Sequence, residues 1–164
     1  MTDLVPMDLV GVKIELPTNT PILLLKETSG TRYLPIWIGP GEATAIARAM
    51  DGVELPRPLT HDLLKLVTES LGARVDRVVV TNLEEGTFFA DLIMTRDGEE
   101  VSVSSRPSDA IALAARTEAP LFAAREVVDE AGLEIQFDGE EEEIERFREF
   151  LDEVVPEDFE GHIS

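Results

Sequence analysis

The stretch that decides the fold runs from residue 86 to residue 117 and reads GTFFADLIMTRDGEEVSVSSRPSDAIALAART. Two apolar-rich runs, 86–96 and 99–105, flank Asp97-Gly98, a dipeptide that strongly favours a two-residue hairpin turn. After the second run, a polar segment precedes small apolar residues, which predicts a helix over 108–117. The stretch therefore predicts a β-hairpin followed directly by a helix.

The same order of elements is predicted earlier in the chain. Residues 21–27 and 31–39 are apolar runs around a short turn, and residues 40–52 have the pattern of a helix that ends at Gly52. Further strands are predicted at 8–16, 74–83 and 120–124, and further helices at 60–72 and 125–133. Because strands come in antiparallel pairs and do not alternate with helices, we expect an α+β fold. Its sheet would be mixed and largely antiparallel, built from two hairpin-plus-helix units, with the helices packed on the sheet.

The chain is strongly acidic. Its 164 residues include 14 Lys and Arg against 34 Asp and Glu, a formal net charge of −20. A field of this sign repels phosphate backbones, so composition disfavours nucleic acid as a partner. The lack of cysteine excludes disulfides and thiolate metal sites. No signal-peptide pattern or long apolar run is present, which predicts a cytoplasmic protein with no membrane partner.

Half of the excess negative charge lies at the C-terminal end. Residues 138–164 contain 12 acidic and 2 basic side chains, and four apolar residues recur there at helical spacing: Ile144, Phe147, Leu151 and Val154. We therefore expect a domain over 1–137 and an acidic amphipathic tail over 138–164. The tail could dock on its own domain, or it could bind a partner or inhibit the domain.

Two stretches share an Arg-Pro pair, a hydroxyl residue and an aspartate ahead of apolar residues: RPLTHDLL at 57–64 and RPSDAIALA at 106–114. Each supplies a predicted N-cap and a first-turn aspartate, namely Thr60 with Asp62 and Ser108 with Asp109. Capping does not explain Arg57 and Arg106, which could pair with aspartates or hold an anion at a helix start. We expect the two stretches to lie near each other at one end of the sheet.

With LPIWIG and GEATAIA at 34–47 and GTFFADL at 86–92, these motifs resemble the bifunctional nuclease (BFN) domain family over roughly residues 8–133. The acidic end, FREFLDEVVPEDF at 147–159, is similar to that of actinobacterial members. The resemblance implies a compact α+β domain. In plant members the named activity is cleavage of both RNA and DNA, so it implies phosphodiester hydrolysis with nucleic acid as a partner.

Phosphodiester hydrolysis requires a general base or a metal-bound hydroxide, and cations that face the developing charge. The predicted catalytic residues are His61, Asp62 and Asp109, and the predicted phosphate-binding residues are Arg57, Arg106 and Ser108. Glu42, with Asp62 and Asp109, would hold a divalent ion such as Mg²⁺ or Mn²⁺ through oxygen ligands. A homo-oligomer is also expected.

Two other interpretations remain open at this point. The first is a non-catalytic, oligomeric binding or regulatory protein that holds a small anion at the two Arg-Pro helix starts. The second is purely structural, with the arginines and aspartates forming an internal ion-pair network. An open cleft that gathers Arg57, His61, Arg106 and Asp109 would favour a site, whereas buried and mutually paired side chains would favour the structural interpretation.

Overall fold

The computed structural model describes residues 3–15 and 17–135. These residues form eight strands: β1 (Leu4–Glu15), β2 (Thr20–Glu27), β3 (Arg32–Trp37), β4 (Ala73–Glu84), β5 (Thr87–Arg96), β6 (Glu99–Ser105), β7 (Leu121–Ala124) and β8 (Leu133–Glu134). They also form four helices: α1 (Pro40–Met50), α2 (Thr60–Ser70), α3 (Pro107–Thr117) and α4 (Arg125–Ala131). The predicted tail at 138–164 lies outside the described residues, and the boundary at 137 stays a prediction.

All eight strands belong to one sheet, in the order β6-β5-β4-β7-β1-β2-β3-β8. Strands β4 and β7 pair in parallel, and the other neighbouring pairs are antiparallel. The predicted α+β class with a mixed, largely antiparallel sheet is therefore confirmed. None of the helices in the described ranges has the length and apolar character needed to cross a membrane.

The sheet contains two similar units. One is β1-β2-β3 followed by α1, the other is β4-β5-β6 followed by α3, and in each the three strands form an antiparallel meander. The predicted turn at Asp97-Gly98 is present, with positive φ angles of 51° and 79° that suit a type I′ hairpin. Strand β7 lies between the two units, and helices α1 and α3 pack against each other.

Helices α1 and α3 begin in the same way. Each has proline as its first residue, where no hydrogen bond is lost, and an acidic residue in its first turn, Glu42 in α1 and Asp109 in α3. The counterpart of the 106–109 stretch is therefore residues 39–42. The stretch beginning at Arg57, whose sequence resembles residues 106–109, instead leads into α2.

Both predicted N-caps are too late, Ser108 by two residues and Thr60 by one. Pro107 is already the first residue of α3, so Arg106, with extended φ and ψ of −68° and 141°, occupies the N-cap position, and Ser108 is fully buried inside the helix. Likewise Thr60 begins α2, and Leu59 precedes it. The aspartates do lie in the first turns, as predicted, because the helix dipole and free N–H groups stabilise a carboxylate there.

Helix α3 is the centre of the core. Seven of its residues are buried, and five consecutive ones are at most 2% exposed: Ala110, Ile111, Ala112, Leu113 and Ala114. Its alanines allow close approach to α1 on one side and to strands β4 and β5 on another. The polar residues at its start are thereby fixed relative to the whole sheet.

Helix α2 faces the opposite way from what its pattern predicts. Leu63, Leu64, Val67 and Leu71 recur at the spacing of an apolar helix face that would normally be buried, yet these side chains are exposed. The buried residues of the helix are His61 and Thr68. The helix thus directs its polar N-terminal turn towards α3 and leaves its apolar face in solvent.

Candidate functional site

The first turns of α1, α2 and α3 meet, and their side chains form a continuous hydrogen-bonded series. His61 Nε2 lies 2.9 Å from Asp109 Oδ1. Arg106 donates from Nε to Asp109 Oδ2 at 2.9 Å and from Nη2 to Glu42 Oε1 at 2.8 Å. A histidine, an arginine and two carboxylates from three helices are thereby held in one arrangement.

A second pair extends this arrangement along α3. Arg116 Nε donates to Asp62 Oδ1 at 2.6 Å, and its Nη1 donates to the carbonyl oxygen of Ala112 at 2.9 Å. The other oxygen of Asp62 accepts the backbone N–H of Leu59 at 3.0 Å. Asp62 therefore caps α2 and also ties the start of that helix to α3. The His61–Asp109 contact joins the two Arg-Pro stretches and confirms that they lie near each other.

An open cleft of about 700 Å³ lies over the series. Its polar lining includes Glu42, His61, Arg106 and Asp109, whose side chains are 21%, 11%, 37% and 33% exposed. Arg48 and Arg116 also line it, so three arginines face two carboxylates. The cleft carries a small positive excess in a chain whose net charge is −20.

Helix α2 and the residue before it supply the apolar side of the same cleft: Leu59, Leu63, Leu64 and Val67. A larger cleft of about 920 Å³ shares Arg48 and Arg116 but is not lined by His61 or Asp109. Its lining also includes Lys65, Arg74 and four acidic residues, so its charges balance. The smaller cleft is the better candidate because a titratable histidine and its carboxylate partner open into it.

The contacts shift the pKa values of the site. The hydrogen bond with His61 lowers the pKa of Asp109 below its ordinary value of 3.8; burial opposes this, and Arg106 lowers it further. The hydrogen bond from Arg116, followed by that from the Leu59 N–H, lowers the pKa of Asp62. Burial acts to lower the pKa of Arg106, but hydrogen bonds to Asp109 and Glu42 outweigh it and raise that pKa. Both aspartates are therefore ionised near neutral pH.

These shifts predict a loss of stability in acid. A carboxyl whose pKa is lower in the folded than in the unfolded state stabilises the fold above its unfolded pKa, and this contribution disappears as pH falls through its folded pKa. For Asp62 and Asp109 the loss should begin near pH 5 and continue below pH 3. We expect the urea-derived free energy of unfolding to fall less between pH 7 and pH 3 in an Asp62→Asn, Asp109→Asn variant. An equal fall in both proteins would contradict this origin.

The predicted metal ligands are not gathered at one point. Among residues 3–15 and 17–135, no three His, Asp or Glu side chains lie close enough together to hold a metal ion. Glu42 and Asp109 are separated by Arg106, which binds both, and Asp62 is occupied by Arg116 and a backbone N–H. The residues as placed do not fit a divalent ion.

The structure gathers most, but not all, of the predicted site residues. Glu42, His61, Arg106 and Asp109 line one cleft, and Asp62 lies behind it, paired with Arg116. The hydroxyl of Ser108 is buried within α3. Arg57 is exposed, lines neither cleft and joins none of the ion pairs in the described ranges.

Arg48 and Arg116 were missed by the sequence interpretation. Each follows an acidic first-turn residue on its own helix, Arg48 six residues after Glu42 and Arg116 seven residues after Asp109. Seven residues are close to two helical turns, so Asp109 and Arg116 share a helix face. The seven-residue spacing in the sequence could therefore have indicated that Arg116 lies on the same side of α3 as Asp109. Glu42, His61, Arg106 and Asp109 are mutually paired and also line an open cleft, so they meet both the condition set for a site and part of the condition set for a structural network.

Similarity to known proteins assigns the chain to a family. The model of the bifunctional nuclease domain matches residues 23–136. A Mycobacterium tuberculosis protein described as uncharacterised is 48% identical over 158 residues, which cover 92% of this chain and 94% of that protein. The chain belongs to the bifunctional nuclease domain family, and the predicted resemblance is confirmed.

Plant relatives are more distant. Bifunctional nuclease 1 of Arabidopsis thaliana is 33% identical over 105 residues, and bifunctional nuclease 1 of Oryza sativa subsp. japonica is 27% identical over 117 residues. The matches cover 62% and 70% of this chain but 32% and 35% of the plant proteins. The chain therefore spans about a third of the length of these plant relatives.

Proposed function

We propose that this chain is a cytoplasmic phosphodiesterase that cleaves single-stranded DNA or RNA in the cleft between α1, α2 and α3. The observation that carries the proposal is the His61–Asp109 hydrogen bond at the wall of an arginine-lined cleft. Support also comes from membership of a family whose plant members are named bifunctional nucleases. Because the chain spans only part of those proteins, their activity enters here as a proposal.

In the proposed mechanism His61 is the general base. Asp109 is ionised near neutral pH, so it accepts a hydrogen bond from Nε2–H, and the neutral imidazole then has its basic lone pair on Nδ1. Nδ1 would take the proton of a water molecule as its oxygen bonds to phosphorus. The ester P–O bond would break on the opposite side, and the leaving oxygen would take a proton from solvent. Asp109 would stabilise the imidazolium that forms.

Arg106 is the proposed phosphate ligand. Its Nε and Nη2 are used by Asp109 and Glu42, and its Nη1 has no protein partner among the described residues. A fixed guanidinium with a free N–H group is suited to an oxyanion because it does not have to reorganise as charge develops. Glu42 and Asp109 would thus orient Arg106, and Arg48 and Arg116 would supply the remaining positive charge.

The role of Arg106 is tested by substituting, in separate proteins, two arginines that each bridge two carboxylates, one inside the cleft and one outside it. We expect Arg106→Ala to lower cleavage of a labelled single-stranded oligonucleotide by about 100-fold or more, the typical effect of removing one oxyanion donor. Arg32→Ala is the matched control, since Arg32 also bridges two carboxylates, Glu27 and Asp129, but lies outside the cleft. Both variants remove a similar set of ion pairs, so melting temperatures should fall by similar amounts.

The outcome separates chemistry from structure. Equal activity in the two variants would refute a role for Arg106 in catalysis and would point to a contaminating nuclease. The assay is run with EDTA and, separately, with Mg²⁺, Mn²⁺ or Ca²⁺, because the side chains as placed do not form a metal site. Activity that strictly requires a divalent ion would overturn the metal-free mechanism.

One observation favours a second function, the binding of a small anion without catalysis. Glu42 and Asp109 compensate Arg106, so the cluster itself offers little net charge to a polyanion such as nucleic acid. A small anion would need only Nη1 and neighbouring arginines. Isothermal titration with a mononucleotide distinguishes the two functions: binding without turnover supports the regulatory protein, and turnover supports the phosphodiesterase.

A further inference from the structure

Helix α2 and the segment before it expose an unusually large apolar surface. Nine side chains, each 39–58% exposed, form what we call the α2 surface: Met50, Val53, Leu55, Leu59, Leu63, Leu64, Leu66, Val67 and Leu71. Scattered exposed leucines are ordinary, but nine large apolar side chains exposed within residues 50–71 are unusual for a monomer unless something covers them. A covering partner therefore has to be identified.

The size of the α2 surface matches a stable protein interface. Nine large side chains that are about half exposed present an area of ~800 Å², which is what each partner of a standard interface buries. The area calls for a partner with an apolar surface of similar extent, and a second copy of this chain has one by definition. The chain's own tail, residues 138–164, is the other candidate, and the experiments below distinguish the two.

We propose that a second copy of this chain covers the α2 surface, in a symmetric dimer whose two-fold axis passes near Val67. Residues 59, 63, 67 and 71 recur every four positions, and such ridges pack well against the same ridges of another helix. A two-fold axis makes the same surface serve both partners. The antiparallel pairing then places Leu63 opposite Leu71 of the second copy.

The dimer also bears on the cleft. Leu59, Leu63, Leu64 and Val67 belong both to the α2 surface and to the lining of the 700 Å³ cleft. A second copy on this surface would cover the apolar side of the cleft beside His61. The cleft would then lie at a subunit boundary and be less open to water. The test of this inference measures the oligomeric state, so its outcome does not depend on whether the cleft hydrolyses phosphodiesters.

The test is the mass of the full-length protein by light scattering over a range of micromolar concentrations. We expect twice the 18.1 kDa of one chain, and one chain mass for a Leu63→Glu, Val67→Glu variant. Val103→Glu is the control, since Val103 is exposed on the edge strand β6. It should leave the dimer intact, and circular dichroism should show the same fold in all three proteins. A monomeric wild-type protein, or a dimer lost only in the Val103→Glu variant, would overturn the proposal.

A cysteine substitution tests the position of the axis. The chain has no cysteine, so Val67→Cys should cross-link two copies through a disulfide under oxidising conditions, whereas Val103→Cys should not. Failure of the Val67→Cys protein to cross-link would refute the two-fold axis near Val67. A full-length Phe147→Ser, Leu151→Ser variant should have the mass of the wild type. A wild-type monomer that associates only after these tail substitutions would show that the tail covers the surface.

Discussion

His61→Ala should reduce phosphodiester cleavage by about 10²–10⁴-fold, the usual contribution of a positioned general base. The expectation follows from the 2.9 Å contact between His61 and Asp109, which fixes the ring and leaves its second nitrogen for proton transfer. Initial rates on single-stranded DNA and RNA, measured from pH 5 to pH 9, give the comparison. The rise in rate with pH that a histidine base produces should also disappear.

The other histidine of the chain provides a control. His162→Ala removes an equivalent ring from a position that the proposed mechanism does not use, so its rate should equal that of the wild type. Asp109→Asn should retain the shape of the site but lower the rate at least tenfold, because an amide no longer stabilises the imidazolium. Undiminished cleavage by the His61→Ala protein would rule out His61 as the base.

Leu113→Ala should lower the free energy of unfolding by about 2–5 kcal/mol, the range for truncating a fully buried leucine. Leu113 is 0% exposed and lies in the middle of α3, between the sheet and the neighbouring helices, where little can move to fill the space. Urea denaturation followed by circular dichroism measures the loss. Val101→Ala, on the exposed face of β6, should change the same quantity by about 0.5 kcal/mol or less.

The same two substitutions also test whether the packing of α3 determines the geometry of the cleft. Helix α3 carries Asp109 and Arg116. Because Leu113→Ala loosens the packing of this helix, the contacts of the cleft should be lost at a lower urea concentration than in the wild type. A change below 1 kcal/mol would mean that the core around α3 rearranges far more freely than close packing allows. In that case the cleft geometry would depend less on α3 than we infer.

Local signals explain which parts of the fold were predictable. The Asp97-Gly98 turn and the alanine-rich run of α3 are set by residues adjacent in sequence, and both were predicted close to their observed positions. The exact start of α3 was missed because Pro107 suits the first helical position as well as the one before it. The two-residue strand β8 was not predicted, because its pairing with β3 comes from tertiary contact.

The candidate site also combines features that local sequence predicts with features that only tertiary packing determines. Asp62 and Asp109 were found because a first-turn aspartate is a local feature. The pairing of Arg106 with Glu42, 64 residues away, depends on how α1 and α3 pack, and no spacing rule contains that information. Arg57 was selected because its local sequence resembles that of Arg106, yet the equivalent helix start is at 39–42. Similarity of short motifs did not identify structural equivalence.

The place of β7 in the sheet has a consequence for how the protein is made. Its four residues join the two halves of the sheet, pairing with β1 on one side and β4 on the other. During synthesis the ribosome completes both meanders before residue 121 emerges, so each half can form early while the seam between them stays open. We infer that the nascent chain exposes two unpaired strand edges until β7 closes the seam, which makes this late insertion the step most open to misassembly.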